Sequence, residues 1–164
     1  MKRKIASLAL ALFVSGTAGI FAFGIGLQAN ANSGNVFAPG VAVTFKLDQV
    51  PLVFAGNYYA GDTLSFALTG DWWVMNEPIV RIGRTSLDYF WGLGFFSNVA
   101  FPKDDFQFAC GMRVPLGLNI LVARAIEPYI QVVPSFGLHF IPSIGAENFF
   151  FPVSAGFRIW FNRH

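Results

Sequence analysis

From Asn148 to Phe161 the side chains alternate between two sets. Phe149, Phe151, Val153, Ala155, Phe157, Ile159 and Phe161 form one, and Asn148, Phe150, Pro152, Ser154, Gly156, Arg158 and Trp160 the other. A strand turns successive side chains to opposite faces, whereas a helix repeats every 3.6 residues. Period two therefore specifies a strand here, with one face free of polar groups. The pattern recurs upstream. Ile130, Val132, Pro134, Phe136, Leu138 and Phe140 oppose Tyr129, Gln131, Val133, Ser135, Gly137 and His139; Phe106, Phe108, Cys110, Met112 and Val114 oppose Gln107, Ala109, Gly111 and Arg113. Leu87, Tyr89, Trp91, Leu93 and Phe95 oppose Asp88, Phe90, Gly92 and Gly94, and Leu64, Phe66, Leu68, Trp72 and Val74 oppose Ser65, Ala67, Thr69, Asp71 and Trp73. Three shorter segments complete the series: Leu52, Phe54 and Tyr58 against Val53, Ala55 and Asn57; Val41, Val43, Phe45 and Leu47 against Gly40, Ala42, Thr44 and Lys46; and Ile25, Leu27 and Ala29 against Gly24, Gly26, Gln28 and Asn30. Eight strands are predicted.

Which face points outward decides the class. The chain is 54% hydrophobic and only 12% charged, so much apolar surface has to be covered. An eight-stranded barrel has an interior only just wide enough for side chains to fill. The apolar set, rich in Phe, Leu, Trp and Ile, does not fit such an interior. The alternate set of Gly, Ala, Ser, Thr and Asn with a few charges does. Apolar-out and polar-in is the membrane barrel pattern, the reverse of a lipocalin. The longest uncharged stretch after the first thirty residues, 128–146, carries Pro134 and Pro142, which excludes a spanning helix there. The expected fold is all-β, an eight-stranded antiparallel up-and-down transmembrane β-barrel.

Residues 1–22 read as a signal peptide, with Lys2, Arg3 and Lys4 before an apolar run and then small residues up to Ala22. The barrel then occupies 23–164. An uncleaved anchor is the alternative, because no charge falls between Ile5 and Asn30. The formal charge of +2 rests on those three leader cations, without which acidic residues outnumber basic ones. No basic face remains for nucleic acid. The single cysteine, Cys110, permits neither an internal disulfide nor a multi-cysteine metal site, and no cofactor is expected.

The chain resembles the small eight-stranded outer-membrane barrels typified by the OmpA transmembrane domain, OmpX and OmpW; a spirochaete-type small barrel fits as well. The resemblance is most specific at Ser154, Gly156, Ile159 and Phe161, similar to the C-terminal signal read by barrel-assembly machinery, here followed by Asn162, Arg163 and His164. The segment Ile126–Gln131 is similar to strand openings in these barrels. The resemblance implies the bacterial outer membrane, outer-membrane lipid and the assembly machinery as partners, and a monomer.

With both termini periplasmic, the outer connections are expected near 31–37, 60–63, 97–105 and 141–147, and long inner turns near 75–85 and 117–126. Short outer loops disfavour an adhesin. Lys46, Asp71, Asp88, Arg113 and Arg158 carry the inward parity, with Glu127 near the inner mouth, and in so narrow a lumen these charges are expected to pair. The pairing either plugs the barrel or lines a thin path for small solutes. A structural or limited-permeability role is the leading expectation. The alternatives are a narrow conduit for small hydrophobic molecules and a lipid A-modifying hydrolase using His139, Ser143 and Glu147. Trp72 and Trp73, with Tyr58, Tyr59 and Tyr89, are expected in the interfacial girdles.

Overall fold

The computed structural model describes residues 22–31, 39–60, 63–102, 106–141, 143–146 and 149–162. The leader therefore lies outside the described residues. Five uninterrupted strands come first: β1 (Phe23–Ala31), β2 (Pro39–Leu47), β3 (Leu52–Tyr59), β4 (Leu64–Ile82) and β5 (Thr85–Phe101). Three interrupted ones follow: β6 (Gln107–Arg113 and Leu116–Leu121), β7 (Ile126–Val132 and Ser135–Ile141) and β8 (Gly145–Ala146 and Val153–Phe161).

Each interruption is a proline step: Val114-Pro115, Val133-Pro134 and Phe151-Pro152. Register is unchanged across the first two: Arg113 opposes Ser135 above them and Leu116 opposes Val132 below, so the intervening residues match in number. Proline has no N–H to donate to a ladder. What survives is one bond per step, donated by Gly92 N–H to Pro115, Val114 N–H to Pro134 and Val133 N–H to Pro152. The three steps thus lie side by side across the wall, and each half-strand keeps its facing.

Neighbouring strands are antiparallel throughout, and β1 closes on β8 over nine pairs from Phe23–Phe161 to Ala31–Val153. The ladder returns displaced. Starting at Asn98 on β5, the partners run through Ala67, Asn57, Ala42, Gln28, Gly156, Tyr129 and Asn119 and come back to β5 at Asp88, ten positions away. Eight strands about 4.8 Å apart with that stagger, at about 3.3 Å per residue, tilt by roughly 40° around a backbone radius of about 8 Å.

Burial is inverted relative to a soluble domain. Gln28, Asn30, Thr44, Asn57, Thr69, Gln131 and Ser154 are buried inside, while Leu27, Val43, Leu68, Leu93, Ile130 and Phe157 are exposed outside. The parity read from the sequence is the parity of the barrel.

The expected long inner turns are shorter than their sequence suggests. β4 runs on to Ile82 and reverses through Gly83, whose positive φ of 61° suits glycine, into Thr85; the turn at 117–126 shrinks to the residues after Leu121, where Ala123 and Arg124 adopt positive φ. Register shifts between Trp73 and Met75 and between Pro78 and Val80 break the alternation in β4. β5 likewise continues to Phe101, so the 97–105 connection is shorter too; residues 32–38, 61–62, 103–105, 142 and 147–148 of the opposite connections lie outside the described residues.

Candidate functional site

The stagger brings side chains from distant strands to one level of the lumen. Glu127 on β7 opposes Arg158 on β8, which opposes Gly26 on β1. A Cβ on Gly26 would run into the Phe157 carbonyl and the Arg158 side chain, so glycine here makes room for the guanidinium. Lys46 reaches over from β2. Its Nζ is 2.8 Å from Glu127 Oε1, and Arg158 Nη1 is 3.4 Å from the same oxygen. Asn119 Nδ2 donates to Oε1 at 3.1 Å and Trp160 Nε1 to Oε2 at 2.7 Å. Glu127, 1% exposed, is the hub of this cluster.

Aromatic rings fill the rest of the section. Trp73 stacks on Phe90 with centroids 3.8 Å apart and planes 7° from parallel. Lys46 Nζ lies 3.8 Å from the Trp73 ring and the Arg158 guanidinium 3.9 Å from Tyr129. Such cation–π contacts supply attraction that one carboxylate shared by two cations leaves unmet. The Tyr129 hydroxyl donates to Gln28 Oε1 at 2.7 Å. From there Gln28 Nε2 donates to Asn30 Oδ1, and Asn30 Nδ2 to Asn57 Oδ1, carrying the network toward the far end.

Of the five lumen charges picked out by parity, the structure joins Lys46 and Arg158 through Glu127, and Asp71 to Arg113 separately. Arg113 Nε stands 3.0 Å from Asp71 Oδ1, an ion pair without hydrogen-bond alignment. Gly94 lies between the two on the ladder, and a Cβ there would meet the Asp71 carboxylate. Asp88 departs from the expectation of pairing: it accepts from Ser86 Oγ at 3.2 Å, and no cation within reach is found among the described residues. It lies below the cluster, facing Asn119 and Pro78. The girdle reading of Trp73 and of Tyr59, which lines the lumen beside Asn57, is corrected as well. Trp72 faces outward, half-exposed, but Trp73 is 3% exposed inside the barrel, because adjacent residues of a strand cannot share a face.

Two cavities flank the cluster and share no lining residue. Toward the end away from the termini, about 120 Å³ is lined by Asn30, Asn57, Asn98, Arg113 and Ser154. At the end carrying the termini, about 360 Å³ is lined by Asn76, Arg81, Arg84, Asp88 and Arg124. His139 pairs with Gly145 at the far end and Ser143 is exposed beyond it, while Glu147 lies outside the described residues.

No family model and no curated protein matches the sequence. Solved structures do. The N-terminal β-barrel domain of Pseudomonas aeruginosa OprF superposes with a TM-score of 0.50 at 12% identity, covering 84% of this chain and 97% of that one. The fold is that of the small outer-membrane barrels. Neisserial surface protein A (15% identity, TM-score 0.40, 85% and 96% covered) and Ail of Yersinia pestis (10%, 0.34, 86% and 96%) are also similar. The bacterial outer membrane is the setting of this fold. Within the barrel, Ser154 and Gly156 face the lumen, and Ile159 and Phe161 the outside, along the strand that closes on β1.

Proposed function

We propose that the chain is an outer-membrane barrel whose lumen is sealed, serving a structural role in the envelope rather than passing solutes. The observation that carries this reading is the filled section around Glu127. Glu127 and Arg158 at 1%, Phe90 at 2% and Trp73 at 3% exposure occupy a lumen of roughly 8 Å backbone radius. Opening it would strip Lys46 and Arg158 of their shared carboxylate in a low-dielectric interior, a cost of several kcal/mol.

In this reading residues 1–22 direct export, the end carrying both termini faces the periplasm, and outer-membrane lipid covers the apolar belt. Ser154, Gly156, Ile159 and Phe161 present the closing strand to barrel-assembly machinery, and the folded barrel is a monomer without a cofactor. Passage of small hydrophobic molecules is disfavoured by the ion pairs at the constriction. Lipid A hydrolysis is disfavoured by the spacing of His139, Ser143 and Glu147.

Liposome swelling tests the proposal. Vesicles containing the refolded protein are expected to swell in an isotonic pentose no faster than protein-free vesicles. Swelling at a porin-like rate would overturn the sealed reading, and release of fatty acid from lipid A would overturn the non-enzymatic one.

A further inference from the structure

The cavity at the end carrying the termini is built differently from the one above the seal. Arg81 comes from the last residues of β4, Arg84 from the β4–β5 turn and Arg124 from the β6–β7 turn. Three exposed arginines thus border one hollow, and none of them forms an ion pair among the described residues. The one carboxylate in the lining is Asp88, 9% exposed; Ser86 Oγ donates to Oδ2, while Oδ1 is turned away from solvent with no hydrogen-bond partner among the described residues. Two positive charges remain in excess, beside the Asp88 carboxylate. A ligand matching both carries an anion and an N–H cation.

The rim gives that ligand a source. β3 begins at Leu52, opposite Trp72, so among the described residues no strand pairs with β4 on that side from Val74 to Ile82. The hollow is therefore flanked by an open strand edge where the neighbouring wall stops. Ile79, Val80 and Ile82 are exposed on the same stretch, Ile82 at 76%. An acyl chain can lie along these residues while its headgroup turns inward over the edge.

Taking the end that carries the termini as periplasmic, as in the function proposed above, we propose that this hollow binds the phosphoethanolamine headgroup of an inner-leaflet phospholipid, its phosphate held by Arg81, Arg84 and Arg124 and its ammonium donating to the Asp88 carboxylate. A phosphatidylglycerol supplies the phosphate without the ammonium. A phosphatidylcholine supplies a cation without an N–H.

The test is native mass spectrometry of the refolded barrel in detergent, titrated with each of the three phospholipids at equal chain composition. Phosphatidylethanolamine is expected to be retained about tenfold more strongly than the other two, the worth of one charge-assisted hydrogen bond. Asp88→Asn removes the preference over phosphatidylglycerol, and Arg84→Gln with Arg124→Gln weakens retention of both. Equal retention of the three lipids by the wild-type barrel overturns the proposal, whatever the variants do. So does displacement by inorganic phosphate as effective as by soluble phosphoethanolamine, which would mark a free-anion site.

Discussion

Lys46 and Glu127 meet at 2.8 Å although 81 positions separate them in the chain. Strands two and seven come together only because the barrel closes with a ten-residue stagger, which sets both side chains at one level. Arg158 shares the same carboxylate. Glu127→Gln keeps the shape and leaves two buried cations facing each other. This variant is expected to lose about 3–5 kcal/mol of stability, read as the midpoint shift of urea unfolding in lipid vesicles. A shift below about 1 kcal/mol would remove Glu127 as the hub.

The separation of Asp71 from Asp88 gives a second contrast. Asp71→Asn strips a buried partner from Arg113 and should destabilise by roughly 3 kcal/mol in the same assay. Asp88→Asn removes a carboxylate with no ion-pair partner among the described residues and should cost about 1 kcal/mol or less, the scale of one ordinary hydrogen bond. Equal losses would mean that Asp88 belongs to the lumen network after all.

Two glycines on opposite faces test the parity. Gly26 faces inward with no room for a methyl group, whereas nothing lies within 4 Å of a Cβ on Gly56, which points outward. Gly26→Ala is expected to abolish the heat-modifiable gel shift of the folded barrel, and Gly56→Ala to preserve it. The reverse result would invert the barrel.

A charge on the outer face tests the lipid belt. Leu116, exposed near the middle of β6, should tolerate arginine poorly, at about 2–4 kcal/mol, while arginine at Ile82 on the rim should cost about 0–1 kcal/mol. Similar costs at both positions would remove lipid from the account.

Fold class was legible because alternation is a local property. Pro134 and Pro152 leave the side-chain parity intact, so those interrupted strands still read as strands, whereas the half-strand after Pro115 reads as a turn although its parity continues. The lower part of β4 was not legible. Register shifts at Trp73/Met75 and Pro78/Val80 swap the faces there, and the stretch from Met75 to Ile82 reads as a turn. Parity also fixed which charges point inward. It could not fix which of them meet, because the stagger belongs to the whole ring of eight strands. That is why Glu127 reads as a residue of the inner mouth when it is the centre of the lumen cluster, and why Asp88 reads as part of a network from which it is absent. Trp73 was visible as inward by its place in the alternation, a signal that its neighbour Trp72 obscured.

Planar-bilayer conductance tests the seal most directly. The refolded wild-type barrel should carry no current above that of a protein-free membrane, and removing the stacked pair by Trp73→Ala with Phe90→Ala should produce discrete opening events. Steady single-channel conductance by the wild-type barrel would contradict the account.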